Sequence, residues 1–237
     1  IMPVSLYGQT SNMDEINKIA ERNGKIPVIE DAAQSFGATY KNKKSCNLSN
    51  IGCTSFYPSK PLGCYGDGGA IFTNDDKVAE SSKVIREHGQ ISRYVHNKVG
   101  VGGRMDTIQC AIVLAKLERF DFEIKKRIEI GEFYNLSIDK IGLKRVQQKK
   151  DRNSVFGQYT IFCDDREKVK EHLNKNGIPT SINYPNPINE QKAYRVFCCP
   201  ECTPEAKNAS NKVICLPMSP ELKKEHQQFI IDKLSNY

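Results

Sequence analysis

The opening thirty residues constrain the fold more than any other stretch of this chain. Pro3 to Leu6 is a short extended run, and Ser11 can cap a helix that carries Met13, Ile16, Ile19 and Ala20 on one face. Gly24 stops that helix, and Ile26-Pro-Val-Ile29 follows as a second apolar strand. Two strands joined by one helix pair most simply in parallel, through a right-handed crossover. The pattern predicts an α/β sheet. Asp31 then falls just beyond the carboxyl end of the second strand, where open α/β sheets place their ligands.

Further strands are expected at Ile51 to Tyr57 and Ala70 to Thr73, separated by a loop that holds Lys60 and by Gly66-Asp-Gly-Gly69. A helix is predicted from Asp75 to about Glu87, with Gly89 as its stop. After an irregular segment, Asp106-Thr-Ile-Gln109 looks like a capping box opening a long helix, with Ile108, Ala111, Ile112 and Ala115 at helical spacing. The pattern continues, more charged, through Ile128 and Tyr134. Past Ser154 it changes character. Gln158 to Cys163 reads as a strand, Asp164 with Glu167 as the cap of a helix ended by Gly177, Thr180 to Tyr184 as a strand, and Ser219-Pro220 as the start of a last helix through Leu234. The expected organisation is a larger domain over 1–118 and a small α+β domain over 119–237, joined by the long helix that starts near 107.

The 237 residues contain no apolar run of the roughly 18 to 20 needed to span a bilayer. Ile-Met-Pro-Val-Ser-Leu lacks the basic start, apolar stretch and cleavage site of a signal peptide, so the reading is cytoplasmic, with no membrane partner. The net charge of +7 is scattered in pairs such as Lys43-Lys44, Lys125-Lys126 and Lys223-Lys224. A nucleic-acid footprint would cluster on one face with interleaved aromatics, so no nucleic acid is expected; a phosphate-bearing small substrate explains the balance as well.

Of nine cysteines, Cys53, Cys110 and Cys163 fall inside apparent strands or helices, as reduced thiols used as small hydrophobes do. Cys198-Cys199-Pro-Glu-Cys202 contains a Cys-x-x-Cys spacing that could form half a zinc site, but no second pair at short spacing follows. It reads as a cysteine-rich loop, with no metal.

Lys60 lies between Pro58 and Pro61, a frame that neither continues a helix nor donates freely to a sheet. Asp31 could equally be a helix cap or loop carboxylate, Ser55 an ordinary strand serine, Gln34 a surface residue, and Gly66 to Gly69 a plain turn. Their joint order carries more. Leu-Tyr-Gly-Gln (6–9), Val-Ile-Glu-Asp-Ala-Ala-Gln-Ser (28–35), Ser-Phe-Tyr-Pro-Ser-Lys (55–60), Gly-Asp-Gly-Gly-Ala (66–70), Arg-Glu-His-Gly (86–89), Gly-Arg-Met-Asp-Thr-Ile-Gln (103–109) and Tyr-Pro-Asn-Pro (184–187) resemble, in order, the landmarks of the DegT/StrS family of sugar aminotransferases.

That resemblance implies pyridoxal 5'-phosphate (PLP) as cofactor, held by Lys60 as a Schiff base, with Lys60 also the proton carrier. It implies Asp31 at the pyridine nitrogen, Gln34 beside the ring and Ser55 at the phosphate. A lysine amine serves in this way only if it is neutral part of the time, and an acid beside the ring nitrogen keeps the ring an electron sink.

The resemblance further implies fold type I of the PLP-dependent transferases: a large domain with a mixed, mainly parallel sheet, present here only in part, plus the small C-terminal α+β domain. It implies a homodimer, and transfer of an amino group, usually from glutamate, to a nucleotide-linked keto-sugar in polysaccharide biosynthesis. Family dehydratases carry histidine where Lys60 stands, so Lys60 favours transamination.

Family chains begin well before the segment matching Ile1, so an N-terminal part that carries an aromatic against the ring and further phosphate donors is expected to be lacking. Gly102-Gly103 stands where the family commonly has an asparagine for the neighbouring subunit's phosphate, and Ile188-Asn189 where it usually has a histidine near the substrate. The competing readings are a non-catalytic truncated fragment of such an enzyme and a zinc or interaction module around Cys198 to Cys202.

Overall fold

The computed structural model describes residues 1–237, the side chain of residue 200 excepted. The chain forms two compact units, one of Ile1–Ile124 with Gln148–Gly157 and one of Lys125–Gln147 with Gln158–Tyr237.

In the first unit, helix α1 (Met13–Arg22) buries Met13 and Ala20, which pack with Ile16, Val28, Tyr40 and Leu48. Ile19 points outward, 48 % exposed, because it lies six residues from Met13, off the face that Met13, Ile16 and Ala20 share. The residue at the helix cap is Asn12; Ser11, the expected cap, instead donates its hydroxyl to the Val4 carbonyl. Strand β1 is only Ile29–Asp31, shorter than the expected run, since Ile26 is exposed and Pro27 has no N–H to offer a ladder. The predicted parallel crossover is present as a bridge from Val4 to Asp31, with Asp31 N–H donating to Pro3 O and Ser5 N–H to Asp31 O, both at 2.9 Å. The rest of the Pro3–Leu6 run does not extend: Leu6–Gly8 is a 3-10 turn with Tyr7 at φ 59°.

Two-residue strands β2 (Thr39–Tyr40) and β3 (Lys43–Lys44) make a small hairpin. Strand β4 (Ile51–Ser55) pairs in parallel with β1, and β5 (Gly69–Phe72) pairs antiparallel with β4, giving the order β1-β4-β5. Helix α2 (Asp76–Arg86) starts where expected, with the Asp75 carboxylate accepting from the N–H groups of Lys77 and Val78. Strands β6 (Gln90–Ser92) and β7 (Val95–His96) form an exposed hairpin in the segment read as irregular. Helix α3 (Thr107–Lys140) is the predicted long helix, at 34 residues.

The chain returns to the first unit at 148–157. Lys41 N–H donates to Asp151 O (2.8 Å), Asn153 N–H to Thr39 O (3.1 Å) and Val155 N–H to Gly8 O (2.9 Å). Arg152 is the rivet of this return. Its guanidinium donates to Thr10 O and Asn12 Oδ1 at 2.7 Å each, pairs with Asp151, and lies 4.5 Å from the Tyr40 ring centroid. Arg152→Ala strips buried acceptors of charged donors, and is expected to cost about 2–4 kcal/mol of unfolding free energy in urea titrations; an unchanged midpoint would show that the return segment is held without it.

In the second unit, strands β8 (Lys144–Arg145), β9 (Tyr159–Phe162) and β10 (Val213–Leu216) form an antiparallel sheet in the order β10-β9-β8. Helix α4 (Arg166–Lys175) buries Val169 and Leu173 and packs on β10 and on α6 (Lys224–Ser235), while α5 (Pro204–Lys212) leads directly into β10. Tyr134 is fully buried, its ring centroid 4.7 Å from that of Tyr159 and its hydroxyl donating to Pro217 O.

Three expectations are corrected here. Thr180 to Tyr184 is not a strand: only Ser181 bridges, to Cys215, and Pro179 and Pro217, which would form the adjoining hydrogen-bonded pair, have no N–H to offer. The last helix does not open at Ser219-Pro220; Ser219 accepts from Leu222 N–H in a turn, and α6 begins at Lys224. Cys199 and Cys202, read as part of a cysteine-rich loop or as half a zinc site, are joined in a disulfide, their Cα atoms 5.4 Å apart and so within bridging range.

Candidate functional site

The site grows from the register of β1 and β4. Asp31 is opposite Cys53, and since successive strand residues alternate faces, Asp31, Cys53 and Ser55 share one face at the carboxyl ends of two parallel strands. Asp31 is fixed there by its main chain, and its Oδ1 accepts from Ala33 N–H at 3.0 Å. Ser55, the last residue of β4, accepts from Tyr57 N–H through its hydroxyl oxygen.

Lys60 follows five residues later in a loop closed at its base by Cys64 N–H donating to Phe56 O (2.7 Å) and turned by Lys60 N–H donating to Tyr57 O (2.9 Å). Lys116 Nζ ties the far side of the loop by donating to Gly63 O at 2.6 Å. Lys60 is half-buried. Gln34 is 5 % exposed, and its Oε1 accepts from Tyr7 N–H at 2.7 Å, which sets the polarity of the carboxamide. Structure thus roots Asp31, Ser55 and the Lys60 loop at one end of the sheet, with Gln34 on the turn that leaves β1.

Two landmark segments also meet. Gln109 Oε1, on the first turn of α3, accepts from Tyr65 N–H (2.9 Å) beside the Gly66–Gly69 run, and Arg104 donates to the Glu87 carboxylate of Arg-Glu-His-Gly (2.9 Å). Neither contact is evident from sequence, because each joins residues far apart in the chain.

Glu30 escaped the sequence reading. Next to Asp31 but on the opposite face, it is fully buried and accepts from Ser45 Oγ (2.8 Å) and Cys46 N–H (2.9 Å). Burial raises its carboxyl above the ordinary 4.5, outweighing the bonds from Ser45 and Cys46 that lower it. Such a group binds its proton more tightly folded than unfolded. Its contribution to stability is therefore greatest below 4.5 and declines as pH rises through the interval from 4.5 to the folded value. In urea titrations between about pH 4 and about pH 7, the stability of the wild type relative to Glu30→Gln is expected to fall as pH rises; a relative gain would reverse the assignment. Close by, burial and then the charge of Glu30 push the Cys46 thiol up to about 12, so Cys46 stays protonated and is no nucleophile.

A cleft of about 1360 Å³ in the same unit is lined by Phe36, Ile71, Phe72 and Phe120 among others, and by none of Asp31, Gln34, Ser55 or Lys60. The donor set, rather than that cleft, marks the site. One carboxylate, one hydroxyl, one carboxamide and one loop amine fit a phosphorylated pyridine aldehyde: acid for the ring nitrogen, hydroxyl for phosphate, amine for the aldehyde. Among the described residues no group of three or more His, Cys, Asp or Glu could hold a metal ion, and no helix is long and apolar enough to cross a membrane.

Comparison with known proteins finds relatives over the whole of this chain. The chain is 50% identical over 236 residues to UDP-2-acetamido-2-deoxy-3-oxo-D-glucuronate aminotransferase of Pseudomonas aeruginosa, covering 100% of this chain and 65% of that one. A crystal structure of a DegT DnrJ EryC1 StrS aminotransferase from Brucella abortus superposes with a TM-score of 0.93 at 36% identity, over 100% of this chain and 63% of that one. NtdA of Bacillus subtilis, solved with bound cofactor PMP, superposes with a TM-score of 0.88 at 26% identity, over 100% of this chain and 55% of that one. The chain thus spans just under two thirds of the relative it matches at 50% identity. The fold is that of these aminotransferases, a mixed α/β architecture as expected. With residues 1–235 matching its family pattern, the chain belongs to the DegT/DnrJ/EryC1/StrS aminotransferase family.

Proposed function

We propose that this chain carries the lysine-bearing part of a PLP-dependent aminotransferase that moves an amino group from glutamate to a nucleotide-linked keto-sugar. The observation that carries the reading is the placement of Asp31 and Ser55 on one face at the carboxyl ends of β1 and β4, with the Lys60 loop leaving that same end. When bound, PLP supplies the electron sink that makes the carbon next to nitrogen acidic. Lys60 would hold the cofactor through its amine and would serve as the base and acid for the proton at that carbon. Asp31, oriented by Ala33 N–H, would hold the ring nitrogen protonated through its carboxylate. Ser55 would donate its hydroxyl to the phosphate, and Gln34 would offer its carboxamide beside the ring.

The 50% identity to an enzyme named for a UDP-linked 3-oxo sugar acid makes that class the first substrate to try. A nucleotide-linked substrate accords with work in the cytoplasm, supplying amino sugars for polysaccharide. The exposed apolar residues Ile91, Tyr94, Val95, Val99 and Val101, on and beside the β6–β7 hairpin, support a homodimer, since they leave apolar surface in water.

Purified protein given PLP, glutamate and UDP-linked 3-oxo-N-acetylglucosaminuronate is expected to form 2-oxoglutarate and the 3-amino sugar in equal amounts by liquid chromatography and mass spectrometry. Formation of 2-oxoglutarate without an amino sugar would overturn the acceptor, and formation of neither would overturn the reaction.

A further inference from the structure

We infer that Gly157 is a positioning residue that sets where Gln34 and the Lys60 loop stand relative to each other, an inference that rests on the reading of the site given above. Three backbone segments cross at this residue. A Cβ built on Gly157 would lie 2.6 Å from Gln34 O and 3.7 Å from Cγ of Pro61, the residue after Lys60. On its other side, a Cβ on Gly8 would lie 2.5 Å from Phe156 N and 2.6 Å from Gly157 N, and Gly8 has φ +110°. The segment 154–157 is therefore wedged, main chain against main chain, between the Tyr7-Gly8 turn and Gln34.

The wedge is anchored on both sides of the turn. Val155 N–H donates to Gly8 O (2.9 Å), Gln9 and Ser154 form an antiparallel bridge, and Ser154 Oγ accepts from Phe156 N–H (3.1 Å). The turn held in this way presents Tyr7 N–H to Gln34 Oε1 at 2.7 Å. One short segment, arriving after more than a hundred intervening residues, thus controls both the main chain of Gln34 and the hydrogen bond that orients its carboxamide, and any side chain at 157 would meet the proline next to Lys60. Only a residue without a side chain allows so close an approach.

The test compares Gly157→Ala with Ser154→Ala, which loosens the wedge without adding atoms, and with Gly24→Ala. Gly24 also has a positive φ (+88°) but nothing within 4 Å of its Cβ, so that variant bears backbone strain alone. Two readouts are taken: hydrogen exchange of the Tyr7 amide without added cofactor, and the pH midpoint of the visible absorption with PLP bound. Gly157→Ala and Ser154→Ala are expected to speed Tyr7 exchange by about tenfold or more and to shift the midpoint in the same direction, with Gly24→Ala changing neither. In a Gln34→Ala background, Gly157→Ala is expected to add little further shift.

Unchanged Tyr7 exchange and an unchanged midpoint in both wedge variants would overturn the positioning role while leaving the reading of the site in place. Absence of visible absorption from the parent protein with PLP would overturn that reading instead; the exchange experiment would still decide whether Gly157 holds Gln34.

Discussion

Lys60→Ala is expected to abolish the borohydride-sensitive visible absorption of the PLP-loaded protein, and to slow amino transfer by about 10³-fold or more. The size follows from the loss of two roles at once, the covalent hold on the aldehyde and the positioned proton carrier. The fold should survive. The backbone bond from Lys60 N–H to Tyr57 O does not need its side chain, and the loop stays closed by Cys64 N–H on Phe56 O. Circular dichroism and the thermal midpoint should therefore match the wild type, which separates a chemical loss from a structural one. A variant that kept its absorption and turnover would show that another amine holds the cofactor.

Asp31→Asn should produce the second largest effect, a loss of about 10²- to 10³-fold in turnover, the order found when one preorganised electrostatic partner is removed. Asparagine keeps the shape and can still accept from Ala33 N–H, so β1 keeps its pairing with β4 and its bonds to Pro3 and Ser5. What disappears is the negative charge that would hold the ring nitrogen protonated. Cofactor binding, followed by the visible spectrum, should weaken far less than turnover. Full activity in this variant would remove Asp31 from the ring nitrogen and leave it the local turn carboxylate that its bond to Ala33 also allows.

Local patterning makes much of the framework legible. Met13, Ile16 and Ala20 at helical spacing mark α1, the strand-helix-strand order implies parallel pairing, and Asp75 announces α2 through its own capping bonds. These features depend on residues within a few positions of one another, so their chemistry is written in short stretches. Val213–Leu216, by contrast, is an unbroken apolar run that becomes β10; a four-residue run has no period by which to tell strand from buried helix. The 148–157 return has no period either, and its place is decided by Arg152 reaching Thr10 and Asn12 across more than a hundred residues.

The same distinction runs through the site. Asp31 at a strand end and Lys60 between prolines are visible as residue types in a setting. Gln34 takes its orientation from Tyr7 N–H, and Glu30 becomes a buried carboxylate only because Ser45 and Cys46 close over it. A main-chain donor looks the same at every position of a sequence, and burial of an acid runs against its usual exposure. Tertiary packing alone discloses such partners.

The proposed chemistry turns on which amine holds the cofactor, and mass spectrometry reads that directly. PLP-loaded protein is reduced with borohydride, digested, and searched for a lysine bearing a pyridoxyl group. The adduct is expected on the peptide containing Lys60 and on no other; an adduct on a different lysine of the coloured protein, with Lys60 unmodified, would contradict the assignment of Lys60.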